Sequence, residues 1–327
     1  MDKERSRVED TSFLPRSATV GLVLCMCSFF SILLTLLWHF LPDTFFPFSK
    51  TSIIGFSLIT LSRMLLCLLL PVIFFKYKFR IPEVKILGQN PGLGAILLSF
   101  LIGCPASVMM VSIHNLLGRY FLAKGMPLAQ PAFSFISEDT STESRLLVFA
   151  VAFLIPVLLQ ELFFRGLFFS VFPRKMAGYQ RILLTALIFA LFMQSPIDFL
   201  PFFLLGVLLG YIRQATNNIF CPIITQSAML LTYVLFSHLL PVLDLTAVSD
   251  AADLNISSQY AAIAAPVIGL LAFLPVLAQF RRISRDTAQF SLQTPEETTV
   301  GLREHFGWSF WLGLLFFAAS WVLLLGI

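Results

Sequence analysis

Residues 146–172 read LLVFAVAFLIPVLLQELFFRGLFFSVF. A helix needs about 20 consecutive apolar residues to cross a bilayer, and this run exceeds that. Only two ionisable side chains interrupt it, Glu161 and Arg165. Four residues apart on a helix, they share a face and can pair. Burying either alone in hydrocarbon is costly, so both are expected to face the interior of a bundle and are functional candidates by default. Two readings stay open from the spacing alone: an ion pair that fixes helix packing, or a polar site inside the bundle.

The rest of the chain repeats the pattern. Of 327 residues, 57% are hydrophobic and 12% charged, about half the charge of a soluble domain, and the mean hydropathy is +0.87. One soluble core could not hide that much apolar surface. An ordinary soluble enzyme, a nucleic-acid binder and a disordered chain are excluded, which leaves an all-α polytopic membrane bundle. Candidate spans fall at 18–41, 52–75, 93–117, 146–172, 182–197, 199–212, 219–240, 259–280 and 307–327. The fifth and sixth are short and parted only by Gln194-Ser195-Pro196-Ile197-Asp198, so they read as two short helices or one broken pair, giving eight or nine spans.

The basic residues orient the bundle. With the N-terminus in the cytoplasm, sixteen lie on the inner side, among them Lys76, Lys78, Arg80, Lys85, Arg213, Arg281 and Arg282; four lie outside, Lys50, Arg119, Lys124 and Arg145. That asymmetry is what the positive-inside rule predicts. The first span is too long, and lacks the small-x-small site, to be a cleavable signal. The expected organisation is a cytoplasmic tail 1–17, N-terminal helices over 18–117, an outer loop 118–144, a core over 145–240 and C-terminal helices over 259–327 with a basic inner linker 281–306. Arg63 lies mid-span and is expected to pair with Glu161 or with carbonyls. Cys25, Cys27, Cys67, Cys104 and Cys221 lie in or beside apolar runs without a Cys-x-x-Cys pair, as packing residues do. His39, His114, His238 and His305 lack helical i, i+3 or i+4 partners of their own kind and read as interfacial residues. No internal or inverted repeat is visible, which counts against a secondary transporter.

Around Glu161 the run Gln160-Glu161-Leu162-Phe163-Phe164-Arg165-Gly166 resembles the first motif, Glu-Glu-x-x-x-Arg, of the CPBP intramembrane proteases, the family of the CAAX prenyl endopeptidase (also called Abi). The second motif, Phe-x-x-x-His, matches Phe189 to Met193. A Gly-rich helix follows with Phe203, Gly206, Gly210 and Arg213, then Asn217-Asn218 and Pro222. The third motif, His-x-x-x-Asn, falls on Gln226 and Leu230. The resemblance covers 145–240; the order and spacing carry it, since Gly206-x-x-x-Gly210 alone is a common packing face.

The resemblance implies attack of water on a peptide bond near the cytoplasmic face, assisted by zinc or a glutamate base. Such chemistry needs a proton acceptor and a Lewis acid or polarised donors. At the positions that would supply them, Gln160 is no base at neutral pH, the Met193 thioether is a poor zinc ligand beside imidazole, Gln226 binds zinc weakly, and Leu230 neither binds nor donates. Glu161 and Arg165 remain as motif remnants. The expectation is therefore a CAAX-endopeptidase-like membrane protein without metal or cofactor, inactive as a protease. It would serve as a binding or scaffold protein for a membrane protein or lipidated peptide tail in the bilayer, with no nucleic acid. Two alternatives are an active peptidase using Glu161 and a membrane transporter. The family's distribution points to a bacterial inner membrane. The family fold further requires the segments around 160, 193 and 226 to face one another.

Overall fold

The computed structural model describes residues 17–42, 45, 49, 52–124, 141–172, 176–237, 256–287 and 306–325. Among these the chain is helical and has no strand. In order the helices are α1 (Ser17–Phe40), α2 (Ile53–Lys78), the short α3 (Glu83–Leu87), α4 (Leu93–Ala123), α5 (Thr142–Phe168), α6 (Gly178–Met193), α7 (Pro196–Thr216), α8 (Phe220–Ser237), α9 (Ile256–Thr287) and α10 (Trp308–Leu325). Six are long and apolar enough to cross a membrane, and α6, α8 and α10 are shorter apolar helices. The nine expected spans correspond to these nine.

Their edges need correction. α4 and α9 run past the apolar windows 93–117 and 259–280, and α5 starts at Thr142 rather than at 146. Hydropathy marks only the hydrocarbon-facing stretch; backbone hydrogen bonding carries the helix on through polar residues at the bilayer surface. Residues 281–287, assigned to a linker, complete α9, and 118–123, assigned to the outer loop, complete α4. The N-terminal tail up to residue 16, the rest of the linker to 305, and His238 and His305 lie outside the described residues.

The choice at 194–198 resolves as two helices. Gln194 takes a left-handed conformation (φ 56°, ψ 32°) that ends α6. The Ser195 hydroxyl then accepts from the Asp198 amide, capping α7 ahead of Pro196.

Two helices contain a wide (π) turn just before a proline: Met64–Leu69 before Pro71, and Ala150–Leu154 before Pro156. A proline lacks the N–H and its ring collides with the carbonyl four residues back. An extra residue in the preceding turn removes that collision while the helix continues. The third wide turn, Leu162–Phe168, has no proline; it contains Arg165 and Gly166 and follows Glu161 directly.

Small residues set the helix contacts. A Cβ on Gly206 would lie 2.7 Å from the Ala186 Cα, and one on Gly210 would lie 3.2 Å from Ile182, so α7 packs on α6 almost backbone to backbone. Gly313 brings α10 against Leu24 and Cys25 of α1, and Gly269 brings α9 against Pro105 and Met109 of α4. Hydroxyls fasten α4 to α8: Ser107 donates to the Met229 carbonyl (2.8 Å) and Thr225 to the Ser99 carbonyl (2.9 Å). Tryptophan fastens α10 to α6, with Trp321 Nε1 donating to the Leu191 carbonyl at 2.8 Å.

Candidate functional site

The polar centre lies where α5, α6, α7 and α8 meet. Arg165 Nη1 donates to Glu161 Oε1 at 2.8 Å, and both side chains are fully buried. Arg165 Nη2 reaches the Gly206 carbonyl at 3.3 Å. The guanidinium also lies over the Phe189 ring, 4.4 Å from its centroid, with Phe164 on another side. Arg165 is thus held by one carboxylate, one carbonyl and two aromatic faces. The remaining polar atoms, Glu161 Oε2 and Arg165 Nε, are buried without a hydrogen-bond partner among the described residues.

One residue before Glu161 is a second, neutral contact. Gln226 Nε2 on α8 donates to Gln160 Oε1 on α5 at 3.3 Å, and both residues are buried. Gln226 Oε1 has no hydrogen-bond partner among the described residues. The segments around 160 and 226 therefore face each other. α6 completes the triangle through aromatic packing, Phe189 and Phe192 lying edge-on to Phe164 with centroids 5.1 and 5.8 Å away. Met193 is half-buried and packs on the apolar core, and Leu230 is half-buried. Neither brings a polar group to the centre.

Arg63 belongs elsewhere. Of the two expected partners it takes the carbonyl: Nη2 donates to the Phe192 carbonyl, and the guanidinium lies over the Phe192 ring at 4.5 Å. It ties α2 to the end of α6 rather than to Glu161. His114 pairs with Asp198 (Nδ1–Oδ1 2.8 Å), linking α4 to the start of α7.

The sequence reading placed Arg213 among the inner loop charges. In the fold it is buried, on the last turns of α7. Nε donates to the Arg165 carbonyl (3.0 Å), Nη1 to Asn217 Oδ1 (2.9 Å) and Nη2 to the Lys85 carbonyl (3.2 Å). The wide turn around Arg165 is thereby hooked to α3. A sequence signal for this existed: Gly206, Gly210 and Arg213 are spaced i, i+4, i+7, one helix face, and the glycines mark that face as packed.

α3 itself was not foreseen. Ile86 is buried against Gly166, where a Cβ would lie 2.9 Å from the Ile86 methyl. The chain then turns at Gly88 (φ +85°), whose Cα meets the Asn217 backbone too closely for a side chain. Gln89 N donates to the Asn217 carbonyl and Ile219 N to the Leu87 carbonyl, both at 2.9 Å. Asn218 donates to the Gln89 carbonyl, while its Oδ1 accepts from the Phe220 (2.6 Å) and Cys221 (3.3 Å) amides and caps α8.

Fold and site together define a polytopic helical membrane protein with a buried ion pair and an amide pair at the meeting of four helices. Residues 142–232 match the family described as Type II CAAX prenyl endopeptidase Rce1-like. The resemblance read from the motifs thus holds over this segment, under a third of the 327 residues. Neither the curated proteins nor the solved structures provide a match.

That family resemblance implies zinc, which takes three or four nitrogen, sulfur or carboxylate ligands. Among the described residues no three His, Cys, Asp or Glu side chains come together. At the centre the available groups are two carboxamides, one carboxylate already bound to a guanidinium, and flanking apolar side chains. This donor set does not fit a zinc ion.

Proposed function

We propose that this chain is a non-catalytic binding or scaffold protein built on a CAAX-endopeptidase-like core. The observation that carries the reading is the Gln226–Gln160 hydrogen bond of 3.3 Å. It spans two positions where the resemblance places a catalytic carboxylate and an imidazole. Two carboxamides satisfy each other without charge, whereas a carboxylate facing an imidazole would be poised to bind metal or move a proton. Glu161, the remaining carboxylate, is committed to Arg165. Such a centre supports helix geometry and offers a few polar anchors, which is what binding requires. The occupants that suit it are membrane-borne: another membrane protein, or a lipidated peptide tail. No metal or other cofactor enters this reading. The family's wide occurrence in bacteria supports placing the protein in a bacterial inner membrane with the N-terminus in the cytoplasm.

One observation favours a second reading. Glu161 Oε2 has no hydrogen-bond partner among the described residues and is the one carboxylate oxygen available at the centre to take a proton from water. A cleavage assay decides between the two. The purified protein in liposomes is given a prenylated C-terminal peptide, with and without zinc, beside a Glu161→Gln variant. No cleavage under any condition is expected. Cleavage that disappears in Glu161→Gln overturns the binding reading and establishes a peptidase working from one carboxylate.

A further inference from the structure

The stretch from the end of α2 through α3 has two unlike sides. Inward, Phe75, Ile81 and Ile86 are each 3% exposed, and the backbone of 85–89 is hooked to Arg213, Asn217 and Asn218. Outward, Tyr77 (75%), Val84 (66%) and Leu87 (37%) are exposed. Lys78 and Arg80 are exposed beside them, and Lys76 pairs with Glu83 at 2.7 Å on the surface. Arg281 and Arg282 near the end of α9 are also exposed, and Ile283 beside them packs near Gly94 at the start of α4. Exposed aromatic and aliphatic side chains interleaved with exposed lysine and arginine suit the headgroup layer of a membrane with anionic lipid. A surface turned wholly to water has no use for the apolar members.

The geometry points to α3 and its flanks, residues 76–89, as an anionic-phospholipid docking surface that presses the 85–89 clasp onto the α5–α7–α8 centre. Lipid contact on the outer side is transmitted through a short series of bonds: the Lys85 carbonyl to Arg213, Arg213 to the Arg165 carbonyl, and Gln89 to the Asn217–Asn218 turn that caps α8. The inference rests on this surface and the clasp beneath it, and stands whether or not the chain cleaves peptides.

The test uses the full chain in nanodiscs of neutral phosphatidylcholine, or of phosphatidylcholine with a third phosphatidylglycerol, read by amide hydrogen exchange of peptides covering 83–92 and 215–223. Each Lys or Arg near an anionic surface contributes about 1 kcal/mol, so two such residues correspond to a change of about thirtyfold. Exchange in both peptides is expected to be slower by that factor in the anionic discs. Lys78→Gln with Arg80→Gln, both on the exposed side, is expected to remove the difference, and 1 M salt to do the same by shortening the screening length to about 3 Å. Arg213→Ala is expected to speed exchange in both disc types, which shows that the readout senses the clasp. Equal exchange in the two discs overturns the inference. So does a difference that survives intact in the double variant or in 1 M salt. Protection by a soluble acidic polypeptide in neutral discs, with none from anionic lipid, also overturns it and assigns the surface to a protein partner.

Discussion

Breaking the Glu161–Arg165 pair from one side should cost far more than removing it whole. Glu161→Leu leaves the Arg165 guanidinium fully buried with a single carbonyl acceptor, Gly206, and the ring faces of Phe189 and Phe164. Its Nε already lacks an acceptor among the described residues. A buried charge stripped of its partner costs about 3–5 kcal/mol. Arg165→Met leaves the carboxylate with neither oxygen bonded among the described residues, and the same range applies. The double variant Glu161→Leu with Arg165→Met removes both charges and keeps much of the volume. Charge-for-apolar replacements of similar size are often near neutral, so it should cost no more than about 1–2 kcal/mol. The coupling energy across the cycle is then several kcal/mol, well above the 0.5 kcal/mol expected of independent sites. Unfolding by sodium dodecyl sulfate in mixed micelles, followed by tryptophan fluorescence, measures all four corners. A cost under about 1 kcal/mol for both singles refutes the reasoning. So does a double variant as damaged as the sum of the two, since the pair would then not act as a unit.

Other expectations follow from the same packing. Gln226→Leu leaves the Gln160 carbonyl oxygen without its donor and should cost about 1–3 kcal/mol, while Gln160→Leu with Gln226→Leu should recover most of it in the same unfolding assay. Gly206→Val forces a side chain against the Ala186 backbone and should cost about 1–3 kcal/mol or more; a smaller loss would mean that α6 and α7 move apart freely. His114→Ala removes a partly exposed pair and should change stability by no more than about 1 kcal/mol. Lys76 beside Glu83 holds that carboxyl below its ordinary value of 4.5. A depressed carboxyl contributes above its unfolded value and loses the contribution as pH falls through the folded one. Exchange of the α3 amides should therefore rise only as pH drops below about 4.5, after correction for intrinsic rates, and Lys76→Gln should abolish that step.

Much of this protein is legible from residue order alone. Long apolar runs without charge can only be helices in a bilayer, because no water is there to satisfy a strand edge or an open loop. That gave the class, the positions of nine apolar helices, six of them long enough to cross a membrane, and the Glu161–Arg165 pairing, whose i, i+4 spacing is a local property of one helix. The Gly206 and Gly210 face was equally local, since a period read along one helix identifies the side that packs. The motif order likewise pointed to the segment that the family match covers.

Much of what lies between helices was not legible. The motif resemblance sets Gln160 and Gln226, 66 residues apart, on facing segments, but the sequence does not specify the hydrogen bond between them. Nor does it choose for Arg63 the Phe192 carbonyl over the Glu161 carboxylate. Arg213 shares the packed face of Gly206 and Gly210, but its acceptors on other elements are main-chain carbonyls, which every residue possesses, so their identity is not marked in the sequence. α3 is too short to leave a hydrophobic period. It exists as a docked element only because Gly166 and Gly88 let backbone and Ile86 come close, and because the Asn217–Asn218 turn supplies hydrogen bonds from another part of the chain. Local chemistry specified the helices and one ion pair. The amide pair and the clasp depended on which backbones could approach, and only packing in three dimensions decides that.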